Sequence, residues 1–134
     1  MTDRELVRKA MEMQEFSYCP YSDFPVGAAL LCEDGSVFTG CNVESASYGS
    51  TICAERTALL KAVSEGCREG FAAIAVAGRG DEYCWPCGSC RQMLYEFAPA
   101  LRVLAVRGDG EYEEMSLSDL LPRGFGAANL KKGE

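Results

Sequence analysis

The spacing of apolar positions changes several times along the chain, and each change marks a predicted element. From Thr2 to about Ser17, Leu6, Ala10 and Met13 recur at i, i+4 and i+7 with charges between them, the period of an amphipathic helix. Thr2 or Asp3 can cap it, with Glu5 three positions after Thr2. Cys19 to Pro25 is turn-rich and carries Tyr21 and Phe24. Val26–Cys32 and Ser36–Cys41 read as strands, and Asp34-Gly35 between them is a hairpin signal. Asn42 to Ile52 is polar and loop-like. Cys53 to about Glu65 reads as a helix with Ala58, Leu59, Ala62 and Val63 on its apolar face, and Gly66 stops it. The unbroken apolar run Phe71–Ala77 suits a strand buried on both faces. Gly78 to Gly88 is a loop, Ser89–Phe97 a helix ended by Pro99, and Arg102–Val106 a strand. Gly108-Asp109-Gly110 is too short for a parallel crossover, which takes about a dozen residues, so Glu111–Met115 returns antiparallel. Leu117–Leu121 forms a short helical turn, and the charged tail Asn129–Glu134 is expected to fray. The alternation predicts an α/β layered fold of about five strands with helices on both faces. No repeat or linker divides it, and 134 residues fit one domain spanning 1–134, since domains run roughly 100–200 residues.

Composition narrows the functional classes. The chain is 48% hydrophobic and 25% charged, the balance of a soluble globular domain. Its 13 basic and 20 acidic residues give a net charge of −7, which argues against nucleic acid as a partner. No apolar run approaches the ~18 residues of a membrane span, and none near the N-terminus suits a secretory signal. A cytoplasmic location follows as the expectation. In a reducing compartment the eight cysteines point to metal binding or redox work rather than to disulfides. The chain has no histidine. That removes histidine bases, triads and metal ligands, and leaves acid–base chemistry to Glu, Asp, Lys, Tyr or Cys. A zinc site would have to be built from thiolates and carboxylates.

Two segments carry that chemistry. Cys53-Ala54-Glu55-Arg56 and Pro86-Cys87-Gly88-Ser89-Cys90-Arg91-Gln92 each fall at a predicted helix start. Unpaired N–H groups and the positive end of the dipole favour thiolates there. Cys53, Cys87 and Cys90 would give three ligands and leave a fourth position open, the catalytic pattern for zinc. Cys84 could close the site as a fourth, structural ligand. Cys84-Trp85-Pro86-Cys87 is also a C-x-x-C, but Pro86 has no N–H to offer a sulfur, so the Cys87/Cys90 pair is preferred. Glu55, two residues past Cys53, can sit beside a metal without ligating it and move a proton. Its plainer role is compensation of the helix dipole. Cys19, Cys32, Cys41 and Cys67 read as small core residues.

The Cys-Ala-Glu-Arg segment, followed some thirty residues later by Pro-Cys-Gly-x-Cys-Arg-Gln, resembles the zinc-dependent nucleoside deaminases. Phe24-Pro25-Val26-Gly27-Ala28-Ala29, Gly40-Cys41-Asn42-Val43-Glu44, Ala62-Val63-Ser64-Glu65-Gly66 and Glu114-Met115 through Leu120-Leu121-Pro122 narrow the resemblance to the small homotetrameric cytidine deaminases. It implies a three-layer α/β/α fold with a mixed five-stranded sheet and one Zn2+ per subunit. It also implies hydrolytic deamination of cytidine and 2′-deoxycytidine in pyrimidine salvage. By the same resemblance Cys53, Cys87 and Cys90 hold zinc, and Glu55 is the proton shuttle. Asn42 and Glu44 hold the ribose 3′-hydroxyl, with Val43 between them in the substrate-binding segment. Phe24 packs by the nucleoside and the Ala54 backbone contacts the base. Tyr48 and Phe125 are contributed by neighbouring subunits, so the homotetramer completes each active site. Arg56 hydrogen-bonds the ligand thiolates; since three thiolates and one Zn2+ leave a charge of 2 − 3 = −1, it is expected to tune the zinc site. The blasticidin-type deaminases share the cysteine motifs; Arg56-Thr57-Ala58, Asn42-Val43-Glu44 and Phe125 favour the cytidine branch. Cys84 and Trp85 depart from the family motif.

Overall fold

A computed structural model describes residues 1–130. The elements run α1 (Asp3–Glu12), β1 (Gly27–Cys32), β2 (Val37–Cys41), α2 (Ala54–Ser64), β3 (Phe71–Ala77), α3 (Gly88–Phe97), β4 (Arg102–Val106), β5 (Tyr112–Ser116) and α4 (Leu117–Leu120). The sheet order is β2-β1-β3-β4-β5. Only β3 and β4 run parallel, joined by the crossover that contains α3; the other neighbours are antiparallel, so the sheet is mixed.

Alternation along the strands divides the core in two. Ala28 and Leu30 of β1, Ile74 and Val76 of β3 and Val103 of β4 face α2 and α3. Ala29, Ala73, Ala75, Ala77, Leu104 and Val106 face Leu6, Val7 and Ala10 of α1. The result is a three-layer α/β/α arrangement, with β3 covered on both faces as its apolar run requires.

Helix α1 begins as its sequence indicates. The Thr2 hydroxyl accepts the Glu5 N–H at 3.1 Å, and the Glu5 carboxylate accepts the Thr2 N–H at 2.9 Å. It is shorter than its periodicity suggests. The α-helix ends at Glu12, and Met13–Phe16 tighten into a 3-10 turn. That turn brings Gln14 over the sheet edge, where its amide donates to the carbonyls of Pro25 and Ala77, both at 3.2 Å. Of the tail expected to fray, Asn129 and Leu130 end a 3-10 turn, and the rest lies outside the described residues. Cys32 is buried against Cys67, with the sulfurs 3.5 Å apart, while Cys19, Cys41 and Cys67 are only half-buried. Among the described residues, no helix is long and apolar enough to cross a membrane.

The register places one end of β1 beside the ends of its neighbours: Gly27 pairs with both Cys41 and Ala77, and Ala77 with Val106. The C-termini of β2, β3 and β4 therefore share one sheet edge. In α/β sheets, ligands sit at such carboxyl ends. Helix α2 starts over this edge and lies close to β2. A Cβ on Gly40 would stand 2.5 Å from the Ala54 carbonyl oxygen and 2.6 Å from the Ala58 nitrogen, so only glycine lets the helix approach.

Candidate active site

Two helices begin at this edge with cysteine in the flanking, extended position: Cys53 before α2 and Cys87 before α3. Neither makes a side-chain capping bond, so the first N–H groups of both helices are free to polarise sulfur. Cys90 lies one turn into α3 and is fully buried. The Cys53 and Cys87 sulfurs are 3.7 Å apart, those of Cys87 and Cys90 3.4 Å, and all three lie within 4.8 Å of one another. Tetrahedral zinc with Zn–S bonds of ~2.3 Å needs sulfurs roughly 3.8 Å apart, so the donor set fits that ion in type and spacing. Among the described residues this is the one such group of metal donors, and Cys84 is not part of it.

The electrostatics point the same way. Hydrogen bonding from Cys90 lowers the Cys53 pKa to about 5, with help from Arg56 and Cys87 against the cost of burial. The same contact with Cys53, together with burial, pushes the Cys90 thiol up. Cys53 and Cys90 packed this closely hold one negative charge readily and resist a second, until a cation takes its place between them. Arg56 Nη2 stands 4.0 Å from Cys53 Sγ and 3.3 Å from the Thr51 carbonyl, while its Nε is buried without a partner.

Glu55 follows Cys53 by two residues and is 4% exposed. Among the described residues it is the one buried charged side chain, and Asn42 is the one buried neutral polar side chain. Burial raises the Glu55 carboxyl from its ordinary 4.5 to about 7. A buried acid in a cleft, held near neutrality, is the usual mark of a proton-transfer group.

Glu55, Cys53 and Cys87 line a cavity of about 300 Å³ together with Ala54, Phe24, Val26, Asn42, Glu44, Ser22, Thr51, Cys84 and Trp85. That volume is at the small end of the ~300–1,000 Å³ common for ligand pockets. The polar groups opposite the sulfurs are held in place. Asn42 Nδ2 donates to the Phe24 carbonyl at 2.9 Å, and its Oδ1 accepts the Val26 N–H at 3.0 Å. The Glu44 carboxylate accepts the N–H groups of Tyr21 and Ser22 at 2.9 and 3.1 Å and the Ser22 hydroxyl. The Ser22 contact leads these in holding the Glu44 pKa below the usual carboxylate range.

Phe24, Asn42, Glu44, Ala54 and Glu55 therefore meet at one cavity beside the three cysteines. Tyr48 is not in its lining but lines an adjoining cleft with Tyr21, Ser22, Glu44 and Thr51, 74% exposed, with its ring edge-on to Tyr21 at 5.9 Å. Val43 faces elsewhere, lining a separate apolar groove with Ile52, Leu60 and Val63. Phe125 does not line this cavity either: it is exposed, and its carbonyl accepts from Gln92. Ser22, Val26 and Thr51 were not signalled by the sequence, because short polar or β-branched residues carry no pattern of their own. Cys84, a departure from the family motif, lines the cavity, and burial pushes its thiol up to about 12.

Comparison with known proteins agrees with this geometry. A family model described as the cytidine and deoxycytidylate deaminase zinc-binding region matches residues 1–106. A cytidine deaminase of Halalkalibacterium halodurans is 48% identical over 130 residues, 96% of this chain and 98% of that one. One of Sporosarcina psychrophila is 44% identical over 97% of this chain and 96% of its own. The crystal structure of the Burkholderia pseudomallei cytidine deaminase superposes with a TM-score of 0.90 at 49% identity, over 93% of this chain and all of that one.

Proposed function

The chain belongs to the cytidine and deoxycytidylate deaminase family, and we propose that it hydrolyses cytidine and 2′-deoxycytidine to uridine and 2′-deoxyuridine, releasing ammonia. The observation that carries this reading is the buried Glu55 beside three converging thiols at a nucleoside-sized cavity. Cys53, Cys87 and Cys90 hold zinc. Zinc bound there supplies Lewis-acid activation of water.

The protein's own groups do the rest. The Glu55 carboxylate takes a proton from the attacking water and delivers it to N3 of the cytosine. It then passes the second proton to the departing amine, so that a C4–O bond forms, the C4–N bond breaks, and ammonia leaves. The Ala54 backbone at the start of α2 meets the base, and Asn42 and Glu44 take the ribose 3′-hydroxyl. Their orientations are already fixed by the loop bonds to residues 21–26. Phe24, Val26, Cys84 and Trp85 wall the cavity. Ammonia release from cytidine by the zinc-loaded protein tests the activity, and no turnover of any pyrimidine nucleoside sinks it.

Arg56 spreads the surplus negative charge of three thiolates on one Zn2+. Arg56→Gln should lower kcat or zinc affinity by roughly 10–100-fold, the usual size of an outer-shell effect. Steady-state kinetics and metal analysis check this; a rise in KM alone excludes the role.

Tyr48 and Phe125 are exposed aromatics, and that exposure supports a homotetramer in which each reaches a neighbouring copy's cavity. Light scattering should give four times the 14.5 kDa of the chain, and a monomeric mass would remove this part of the reading. We place the enzyme in the cytoplasm, in pyrimidine salvage.

A further inference from the structure

The segment leaving β3, Gly78-Arg79-Gly80, has no role in the chemistry above, yet it lies directly behind the cavity. A Cβ on Gly78 would stand 3.0 Å from the Phe24 ring at Cζ, 3.0 Å from Cys84 Sγ and 3.1 Å from Cys84 Cβ. A Cβ on Gly80 would stand 3.8 Å from the same ring at Cε1. The edge of the Phe24 ring thus rests on bare backbone, with the Cys84 thiol beside it. Between the two glycines, Arg79 Nη2 donates to the Asp23 carbonyl and lies 3.7 Å from the Asp23 carboxylate. Asp23, the residue before Phe24, has φ 53°, the left-handed region that costs a non-glycine residue energy and needs outside support.

This seat is itself anchored. The Gly78 N–H donates to the Val106 carbonyl and the Gly108 N–H to that of Gly80, tying the exit of β3 to the exit of β4. The main chain of Phe24 is held from the other side, its carbonyl by Asn42 and its N–H by Ser22 Oγ. One side of the cavity therefore fixes the backbone of Phe24, and the β3 exit fixes its ring.

We propose that Gly78, Arg79 and Cys84 are positioning residues. They set the angle at which the Phe24 ring meets the pyrimidine nucleoside, and so govern substrate affinity rather than the proton-transfer step. The inference rests on the nucleoside reading of the cavity. Any side chain at 78 must displace the ring, the thiol or both, while Glu55 and the three zinc ligands stay where the helix starts put them.

The test is a double-mutant cycle on the zinc-loaded enzyme, with uridine affinity by calorimetry beside KM, kcat and zinc content. Gly78→Ala should weaken uridine binding and raise KM about tenfold, with kcat within about threefold of wild type and zinc unchanged. In a Phe24→Ala background the same substitution should change uridine affinity less than about twofold, because the group it acts through is gone. Equal weakening in both backgrounds overturns the proposal, as does a loss of kcat or zinc with affinity intact. Arg79→Gln alters a half-exposed side chain and spares the core, so it serves if Gly78→Ala fails to fold. It should weaken uridine about threefold, again only when Phe24 is present. A wild-type protein that neither deaminates cytidine nor binds uridine defeats the functional reading itself. An active wild type without coupling defeats only this inference.

Discussion

Glu55→Gln is expected to lower cytidine deamination by about 10²–10⁴-fold with zinc content unchanged, because a positioned general acid–base group contributes about that much. Glutamine fills the same space on α2 and can hydrogen-bond, but it cannot accept a proton from water and return it to the base. Glu55 is not among the three donors, so the metal should stay. Ammonia release and metal analysis on the same sample decide the matter, and turnover within a few-fold of wild type would remove Glu55 from the mechanism. The same substitution has a stability consequence with a definite sign. In the metal-free protein the folded carboxyl titrates near 7 instead of 4.5, so the folded state holds its proton more tightly than the unfolded chain does. The stability this contributes is present below pH 4.5 and is lost as pH rises through 7. That interval corresponds to about 3 kcal/mol, at ~1.36 kcal/mol per pH unit. Relative to wild type, metal-free Glu55→Gln should therefore melt higher at pH 8 than at pH 4; an equal difference at both points to packing instead.

Cys90→Ala should abolish stoichiometric zinc binding, lowering affinity by more than ~100-fold, and take activity with it. Cys84→Ala should keep the metal. The two thiols lie near each other in sequence, Cys90 buried and Cys84 half-buried, and the contrast separates ligation from packing. Cys90 Sγ stands 3.4 Å from Cys87 Sγ within the three-sulfur group, whereas Cys84 packs over Gly78. Without Cys90, two thiolates remain, too few for a tetrahedral zinc site with a single open position. Zinc lost from Cys84→Ala as fully as from Cys90→Ala would mean a closed four-thiolate site with no place for substrate.

Much of the site could be read locally. A helix start is announced within four or five residues, and the sequence places Cys53, Glu55, Cys87 and Cys90 there without reference to anything distant. The Asp34-Gly35 hairpin, the Thr2–Glu5 capping box and the doubly covered β3 are local in the same sense. Other features were illegible for the converse reason. The double use of Asn42 and Glu44, as cavity wall and as staples of the 21–26 loop, depends on a turn some 20 residues earlier folding back onto them. The helix period of residues 2–17 could not show that Gln14 would be pulled into the sheet edge by the carbonyls of Pro25 and Ala77.

Composition and local pattern alone fix which residues can do chemistry here. With no histidine, they leave sulfur for the metal and carboxylate for the proton, and local helix signals put those groups at dipole-positive ends. That they meet is a property of the folded chain. Cys53 and Cys87 are 34 residues apart, and they converge because β2 and β3 end at one sheet edge, where α2 and α3 then begin. The same convergence desolvates Glu55 and lifts its pKa, since burial belongs to the packing of both helices and not to any one segment.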